Sequence, residues 1–278
     1  MSGVLKLSSP ATQEFWELPV LFEDDHLLAI AKPKGLLSSP DRYDAKRPNL
    51  MRLLHEGIRL GKPWAVERRL DYLMNAHRLD FDTSGVFLLA KTKPVLVSLA
   101  NLFSIAKPEK KYAALVHGSP DSDQFEIDAP LAPHPTQIGL IRVDRRGGKR
   151  SKTVFEVQER FGNFSLVSCR PVTGRTHQIR AHLRHARHPI VGDQMYGGKP
   201  LLLSRLKRDY RLKPGAMERP LIAESALHAE ELTLPHPITG QVIQITAPWP
   251  REFSVAVKYL RKYAGAARRD ETPNEPPS

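Results

Sequence analysis

Two parts of the chain have the pattern of β-hairpins, and these patterns constrain the fold more than any other feature. Residues 153–159 and 164–169 are strand-like and flank a Gly-Asn turn at 162–163. Residues 230–234 and 241–247 are also strand-like and flank a His-Pro-Ile-Thr-Gly stretch. A hairpin pairs its two strands antiparallel. The patterns therefore predict a sheet that is at least partly antiparallel.

The other elements are predicted from the periodicity of apolar residues. Further strand patterns lie at residues 26–31, 86–90 and 111–116. Helical patterns lie at residues 49–59, 94–105, 176–186 and 251–263. Strands and helices do not alternate strictly, as they would in a parallel βαβ fold. We therefore predict an α+β fold with a largely antiparallel sheet.

The two ends of the chain are expected to lie outside the folded unit. We expect residues 1–17 to form a flexible lead-in, and the charged, Pro-rich residues 265–278 to form a disordered tail. Residues 18–264 contain no repeat of fixed period and no low-complexity linker. One domain is therefore predicted for that range.

The chain is basic, with 42 Lys and Arg against 30 Asp and Glu and a formal net charge of +12. Such an excess favours a polyanionic partner, with nucleic acid ahead of an anionic membrane. A solvated basic surface would explain the charge as well. The longest apolar stretch, residues 94–106, is shorter than the roughly 20 residues that span a bilayer. We therefore expect no membrane segment.

The single cysteine, Cys169, rules out a disulfide within the chain. It lies in a strand-like segment, which favours a buried thiol over a nucleophile. Residues 1–20 contain no long apolar run, so no secretory signal is predicted. These features indicate a cytoplasmic protein.

The first candidate site is the segment 75–85, which precedes the strand at 86–90. A loop that enters a strand offers a rigid support for reactive groups. In an extended chain Asp80 and Asp82 would face the same way, like the carboxylate pair of a glycosidase. Asp82 and the Thr-Ser-Gly that follow it also fit a hydrogen-bonded turn, and we favour the turn for Asp82. Asp80 by itself could equally be a solvated carboxylate.

The second candidate site is the segment 172–189, which contains four histidines among several arginines. Thr176 is predicted to cap a helix there and Pro189 to end it. Arg180 lies beside the apolar stripe near the helix N-terminus, so it can reach inward. The histidines do not suit a metal site, because the arginines would repel a cation and no cysteine or carboxylate joins them.

Basic side chains in two segments are candidates for binding a phosphate backbone. Residues 142–152 carry six cations and one anion around a Gly-Gly turn, although a solvated loop would look the same. Arginine forks on the helix also suit phosphates. The candidates are Arg145, Arg146, Lys149, Arg150, Arg184 and Arg187. No Gly-rich phosphate loop, dinucleotide fingerprint or cysteine-based zinc spacing is present, so no cofactor or metal is predicted.

Five motifs follow one another in a specific order between residues 18 and 257. They are residues 20–33 with a Lys-Pro turn, His77-Arg78-Leu79-Asp80 with Thr83-Ser84-Gly85, Lys110-Lys111-Tyr112, residues 174–180 with 192–193 and 196–197, and residues 227–240. Each motif alone is weak, whereas the ordered set is strong. The set resembles the RluA-type family of RNA pseudouridine synthases.

The resemblance implies a mixed, mainly antiparallel central sheet with flanking helices and an RNA-binding cleft. It also implies isomerisation of uridine to pseudouridine in rRNA or tRNA, by a monomer without cofactor or metal. Asp80 would be the nucleophile, Tyr112 would pack against the target base and assist proton transfer, and Arg180 would pair with Asp80. Arg78 would fill the gap left by the flipped base. The other motif residues expected to bind substrate are His77, Arg175, His177 and Gln178.

Some questions stay open from the residues alone. The chain could be a catalytically silent RNA-binding protein on the same fold, or a glycoside or nucleoside hydrolase that uses Asp80 and Asp82. Attack of Asp80 at the ribose C1′ and at the base C6 are both conceivable. Phe81 stands where the family more usually has a charged residue, and residues 61–71 are not its usual Gly-rich approach.

Overall fold

A computed structural model describes residues 3–40, 47–105, 108–207, 209–213 and 215–264. Its strands are β1 (Val4–Ser9), β2 (Glu14–Glu23), β3 (Leu27–Lys32), β4 (Met74–Asn75), β5 (Ser84–Ala90), β6 (Glu109–His117), β7 (Gln124–Asp128), β8 (Leu131–Pro133), β9 (Ile141–Val143), β10 (Lys152–Phe161), β11 (Phe164–Pro171), β12 (Leu227–Pro235) and β13 (Val242–Thr246). Its α-helices are α1 (Leu50–Arg59), α2 (Pro63–Val66), α3 (Lys93–Ser104), α4 (Gln178–His185) and α5 (Arg251–Tyr263).

One large mixed sheet forms the centre of the fold. Its strand order is β1-β2-β3-β5-β12-β6-β11-β10-β7, with β4 added beside β5 and β13 beside β12. The β5–β12 pair is parallel and the other pairs along this path are antiparallel. β8 and β9 form a separate small sheet. The predicted α+β fold with a mixed, mainly antiparallel central sheet is confirmed.

Helices cover both faces of the sheet, because successive side chains of a strand point to opposite faces. On β3, Leu28 and Ile30 pack with α1 and α2, whereas Leu27 and Ala29 pack with α3 on the opposite face. α4 and α5 share a third apolar cluster with β6, β10 and β11. The middle of the sheet is therefore held rigidly from both sides.

Both predicted hairpins and all four predicted helices are confirmed, whereas the short helix α2 was not predicted. β10 and β11 pair up to Phe161 and Phe164 across the Gly-Asn turn, and β12 pairs with β13. α1 begins after Asn49, whose side chain accepts a hydrogen bond from the backbone N–H of Arg52. Cys169 is buried in β11, as predicted, and burial raises the pKa of its thiol.

The expectation of a flexible lead-in at residues 1–17 is wrong for most of that segment. β1 pairs with β2 along its whole length, from Val4 opposite Pro19 to Ser9 opposite Glu14. Leu5 and Leu7 are buried in the core with Leu18. The short alternation of apolar residues in β1 forms a strand with one buried face because β2 lies beside it. The predicted tail at residues 265–278 lies outside the described residues. No helix within the described ranges is long and apolar enough to cross a bilayer.

The start of β5 is tightly fitted against β12. His228 pairs with Ser84 and Ala229 pairs with Gly85, and Ser84 Oγ lies 2.9 Å from His228 Nδ1. Gly85 has φ 122°, and a Cβ there would lie 2.1 Å from the Ala229 carbonyl oxygen, so no larger residue fits. The loop that precedes β5 consequently enters the sheet at its centre.

Candidate active site

A cavity of about 500 Å3 opens beside the centre of the sheet, where the loop before β5 meets β6 and the start of α4. Asp80, Tyr112 and Arg180 all line it. The three residues are far apart in the sequence, and the fold brings them together as the motif order predicts.

Hydrogen bonds from the side chains of Lys32 and Ser38 to the backbone hold the Asp80 loop in place. Lys32 Nζ donates to the carbonyl oxygens of Pro33 at 2.9 Å, Asp80 at 3.2 Å and Thr83 at 2.9 Å. Ser38 Oγ donates to the Leu79 carbonyl at 2.7 Å and accepts from the Leu79 N–H at 3.2 Å. The Asp80 carboxylate itself stays partly exposed to the cavity, with its side chain 25% accessible.

The ammonium of Lys32 lies almost fully buried beneath this loop. An ammonium has three donors, and the three carbonyls match them. Burial lowers the pKa of Lys32 to about 7, while the negative charges of Asp80 and Asp82 act in the opposite direction. Sequence reasoning noted Lys32 only as part of a Lys-Pro turn. The sequence feature that could have identified Lys32 is a lysine in an otherwise apolar strand, where an unpaired buried charge would destabilise the fold.

Arg180 donates its hydrogen bonds to Asp193 rather than to Asp80. Its Nε and Nη2 donate to the two carboxylate oxygens of Asp193 at 2.6 and 2.8 Å, and both side chains are buried. Nη1 lies 3.8 Å from Asp80 Oδ2, and Nη2 lies 3.7 Å from Asp82 Oδ2. Burial acts to lower the pKa of Arg180, but the hydrogen bonds and charge of Asp193 outweigh it and raise that pKa.

Asp193 is thus a functional candidate that sequence reasoning missed. It appeared only within a Gly-Asp motif, with no role attached. A fork-to-fork pair of this kind fixes the plane of the guanidinium as well as its position. Asp193 therefore holds Arg180 so that its remaining edge faces Asp80 and Asp82.

Tyr112 on β6 forms another wall of the cavity. Burial raises the pKa of its hydroxyl, and the negative charge of Asp80 adds to this effect. The hydroxyl therefore stays protonated at neutral pH and can donate a hydrogen bond. An aromatic ring beside a carboxylate and an arginine offers a flat surface for a planar group.

A family profile described as RNA pseudouridylate synthase matches residues 26–185. The chain belongs to this family. It is 37% identical over 247 residues to the ribosomal large subunit pseudouridine synthase C of Salmonella typhi. This alignment covers 88% of this chain and 70% of that protein. The chain is 35% identical over 270 residues to the synthase D of Xanthomonas campestris, covering 95% of this chain and 76% of that one.

The fold agrees with that of solved structures in the pseudouridylate synthase family. Human RNA Pseudouridylate Synthase Domain Containing 4 superposes with a TM-score of 0.65 at 24% identity, covering 87% of this chain and 92% of that chain. The predicted resemblance to RNA pseudouridine synthases is confirmed by the family profile and by the synthase C and synthase D relatives.

His177 is held beside Asp80 by a buried tyrosine. The Tyr196 hydroxyl accepts from the Ile141 N–H at 3.0 Å and lies 2.9 Å from His177 Nδ1. If the hydroxyl donates to Nδ1, the imidazole proton stands on Nε2, which lies 3.9 Å from Asp80 Oδ1. Burial lowers the pKa of His177, with Asp80 acting against it.

The start of α4 differs from the prediction. The helix begins at Gln178, and its N-cap is His177 in the left-handed conformation, with φ 51°, rather than Thr176. The Gln178 Oε1 accepts from the Arg175 N–H at 3.0 Å and from Thr173 Oγ1 at 2.7 Å. The loop is therefore closed by Gln178, a residue that sequence reasoning expected to bind substrate.

His77 lines the cavity but uses its ring to hold the sheet. Its Nε2 accepts from the Leu88 N–H at 3.0 Å, so the proton stands on Nδ1, and its ring stacks on Phe103. Burial lowers the pKa of His77 to about 4, and the charge of Lys110 adds to this effect. His77 is therefore neutral at pH 7.

The low pKa of His77 predicts a loss of stability in acid. In the unfolded chain a histidine titrates near pH 6.5, so the unfolded state takes up this proton first as the pH falls. The contribution of His77 is complete above about pH 6.5, and up to about 3 kcal/mol is lost by about pH 4. Urea unfolding of wild type and His77→Gln measures it, since Gln keeps an acceptor for Leu88 but does not titrate.

We expect acid to lower the free energy of unfolding less in His77→Gln than in wild type. His185→Gln is the matched control, because His185 lies on the exposed side of α4. It should follow the wild-type curve. Equal losses in His77→Gln and wild type would contradict the assignment of a neutral His77.

The remaining predicted residues surround the cavity mouth or lie on nearby surfaces. Arg78 is exposed and lines the mouth. Arg175 is exposed and its Nε donates to the Arg150 carbonyl at 3.2 Å, which ties the basic loop of residues 144–150 to the mouth. The exposed basic candidates are Arg145, Arg146, Lys149, Arg150, Arg184 and Arg187.

Three histidines of the second candidate site, His177, His182 and His188, have protein partners. His182 is buried, with Nδ1 2.9 Å from Thr153 Oγ1 and Nε2 3.0 Å from the Ala129 carbonyl. Within the described ranges, no group of three His, Cys, Asp or Glu side chains could hold a metal ion. His182 therefore fastens α4 to β10.

Proposed function

We propose that this chain isomerises uridine to pseudouridine in ribosomal RNA, with Asp80 as the nucleophile. The observation that carries the proposal is a partly exposed Asp80 carboxylate in a cavity between a protonated Tyr112 and an Arg180 fixed by Asp193. Residues 18–264 form the catalytic domain, to which β1 adds an edge strand. The names of the relatives point to rRNA, and tRNA is the alternative.

The reaction needs a nucleophile and a pocket that holds the freed base. Asp80 attacks either C1′ of the ribose or C6 of the base, and the N1–C1′ bond breaks. The uracil turns in place, a bond forms between C5 and C1′, and the bond to Asp80 breaks. The proton lost from C5 is matched by a proton gained at N1. Product and substrate have the same atoms and oxidation state. We therefore infer that the reaction needs neither cofactor nor metal.

Arg180 keeps a positive charge beside the nucleophile throughout. It cannot lose its proton in this setting, since its pKa is raised by Asp193. A fixed cation 3.8 Å from Asp80 stabilises the negative charge that the carboxylate carries before attack and after release. Because this charge is already in position, the surrounding groups need not rearrange when the reaction begins.

The target uridine reaches Asp80 only when it leaves the RNA stack. Enzymes that act on a base extrude it into a pocket and stack it on aromatic side chains. Tyr112 provides that surface, and its hydroxyl can donate a hydrogen bond during proton transfer. Arg78 stands exposed at the mouth, where it fills the gap left by the extruded base.

Two groups of residues complete the proposed substrate site. His177 contacts the nucleophile, Arg175 meets the RNA at the mouth, and His77 and Gln178 act through the walls they hold. The exposed arginines and lysines of loop 144–150 and of α4 contact the phosphate backbone. We propose that the protein works as a monomer in the cytoplasm.

Pseudouridine mapping of RNA tests the function directly. RNA from a strain lacking this gene is compared with RNA from its parent and then treated with the purified protein in buffer that contains a chelator. We expect one or a few sites in large-subunit rRNA to disappear in the deletion strain and to return on treatment. A map that does not differ in any RNA class, with no product formed by the protein, would point to a silent RNA-binding protein.

A further inference from the structure

Lys110 and Lys111 are neighbours on β6 with opposite surroundings. Successive residues of a strand face opposite sides, so Lys110 shares a face with Tyr112, and both line the active-site cavity. Lys111 faces away and forms an ion pair with Glu230 at 3.0 Å. The same residue type therefore serves two different purposes at adjacent positions.

The ammonium of Lys110 has no partner within the part of the chain that the structure describes. No carboxylate oxygen lies within 4.0 Å and no acceptor within hydrogen-bond distance. The side chain is nevertheless half-buried, and burial lowers the pKa of Lys110. A desolvated cation without a counterion destabilises a protein. Its presence in the cavity wall points to an anionic ligand.

The cavity wall beside Lys110 leaves space next to the ammonium. A Cβ on Gly174 would lie 3.7 Å from Lys110 Nζ. Gly174 does not have a positive φ, so its backbone conformation does not require glycine. The absence of a side chain there keeps the space beside the ammonium open.

We propose that Lys110 binds a backbone phosphate of the RNA strand next to the target uridine. The inference rests on the proposed function, since it takes RNA as the ligand of this cavity. Uracil and ribose are neutral, so the phosphate is the one anionic group that a nucleotide brings. A compact ammonium suits a phosphate as a point charge.

This contact would anchor the strand rather than read its sequence. Phosphate contacts set the register of a nucleic acid and carry no base information. Lys110 lies two residues from Tyr112 on the same face of β6, and both line the cavity with Asp80. A phosphate held there therefore keeps the attached nucleotide within reach of Tyr112 and Asp80. The anchor thereby orients the nucleotide for attack.

The test compares Lys110→Met with Lys111→Met. The substrate is large-subunit rRNA from a strain that lacks this gene. Both kcat/KM and the Kd for this RNA are measured over a series of KCl concentrations. We expect Lys110→Met to lower kcat/KM by about 10- to 100-fold, the effect of one lost charge-assisted hydrogen bond. It should also reduce the slope of log Kd against log salt by about 0.7, as for one phosphate contact to a single strand.

Lys111→Met should keep the wild-type slope, and Lys110→Arg should restore it, because arginine returns the positive charge. Thermal unfolding of each variant separates folding defects from binding defects. If Lys110→Met does not fold, the comparison of Lys110→Gln with Lys110→Arg replaces it.

Two results would overturn the proposal. One is an unchanged salt slope in a folded Lys110→Met protein. The other is a fall in kcat at an unchanged slope, which would mean that Lys110 contacts a carbonyl of the base. An inactive wild type would refute the proposed function, while the Kd slopes would still test the phosphate contact. An active wild type with unchanged slopes would refute only the phosphate contact.

Discussion

Replacing Asp80 by asparagine is expected to lower kcat by about 10,000-fold or more, as removal of a nucleophile does in other covalent catalysts. The amide keeps the shape of the carboxylate but cannot attack. The loop should keep its position, because Lys32 and Ser38 hold the backbone of residues 79, 80 and 83 without using the Asp80 side chain. Single-turnover pseudouridine formation measures the effect, and the Kd for RNA should stay within about threefold.

Asp82→Asn is the matched control for this prediction. Asp82 also faces Arg180, at 3.7 Å, and its side chain is about as exposed as that of Asp80. We expect less than about a tenfold loss, since a partly exposed ion pair contributes about 1 kcal/mol or less. A loss as large as that of Asp80→Asn would favour a carboxylate pair and acid/base chemistry. Full activity of Asp80→Asn would contradict the proposed mechanism.

Arg180→Met is expected to damage both stability and catalysis. It leaves the buried Asp193 carboxylate without its partner, which costs about 3–5 kcal/mol of the free energy of unfolding. The melting temperature should fall by roughly 10 °C. It also removes the cation beside Asp80, and we expect kcat to fall by about 100-fold or more. Thermal unfolding and single-turnover assays measure the two effects.

The double variant Arg180→Met with Asp193→Leu separates these two effects. Replacement of a whole buried ion pair by apolar side chains is often neutral for stability, so the double variant should recover much of the lost melting temperature. Its kcat should stay low, because no charge returns beside Asp80. His185→Gln, an exposed change on the same helix, should leave both quantities near wild type. Recovery of activity in the double variant would mean that Arg180 acts on stability alone.

Local patterns predicted the elements whose pairing partners or caps lie close in sequence. The hairpins β10–β11 and β12–β13 are closed by short turns, and α1 carries its own cap in Asn49. β1 was missed because its six residues show only a brief alternation, and its burial depends on α1 and β2. The cap of α4 was misassigned because His177 adopts a left-handed conformation that the tertiary contacts of Tyr196 and Gln178 support.

The order of motifs was enough to gather Asp80, Tyr112 and Arg180 into one site. The chemistry of the single residues did not predict this site, because Asp80 without its neighbours has the properties of any solvated carboxylate. Asp193, Tyr196 and Lys32 stood within the same motifs without a role. Their roles follow from which atoms they reach, and a motif does not contain that information.

The amino-acid sequence therefore determines the hairpins, most of the helices, the basic character and the membership of the set Asp80, Tyr112 and Arg180. The tertiary structure decides which partner each charge takes. Arg180 pairs with Asp193, Lys32 lies beneath Asp80, and Lys110 faces the cavity while Lys111 does not. The two-residue period of a strand predicts that two adjacent lysines face opposite ways. Which of them meets the cavity depends on the position of β6 between β12 and β11, and that position is set by contacts between segments far apart in the chain.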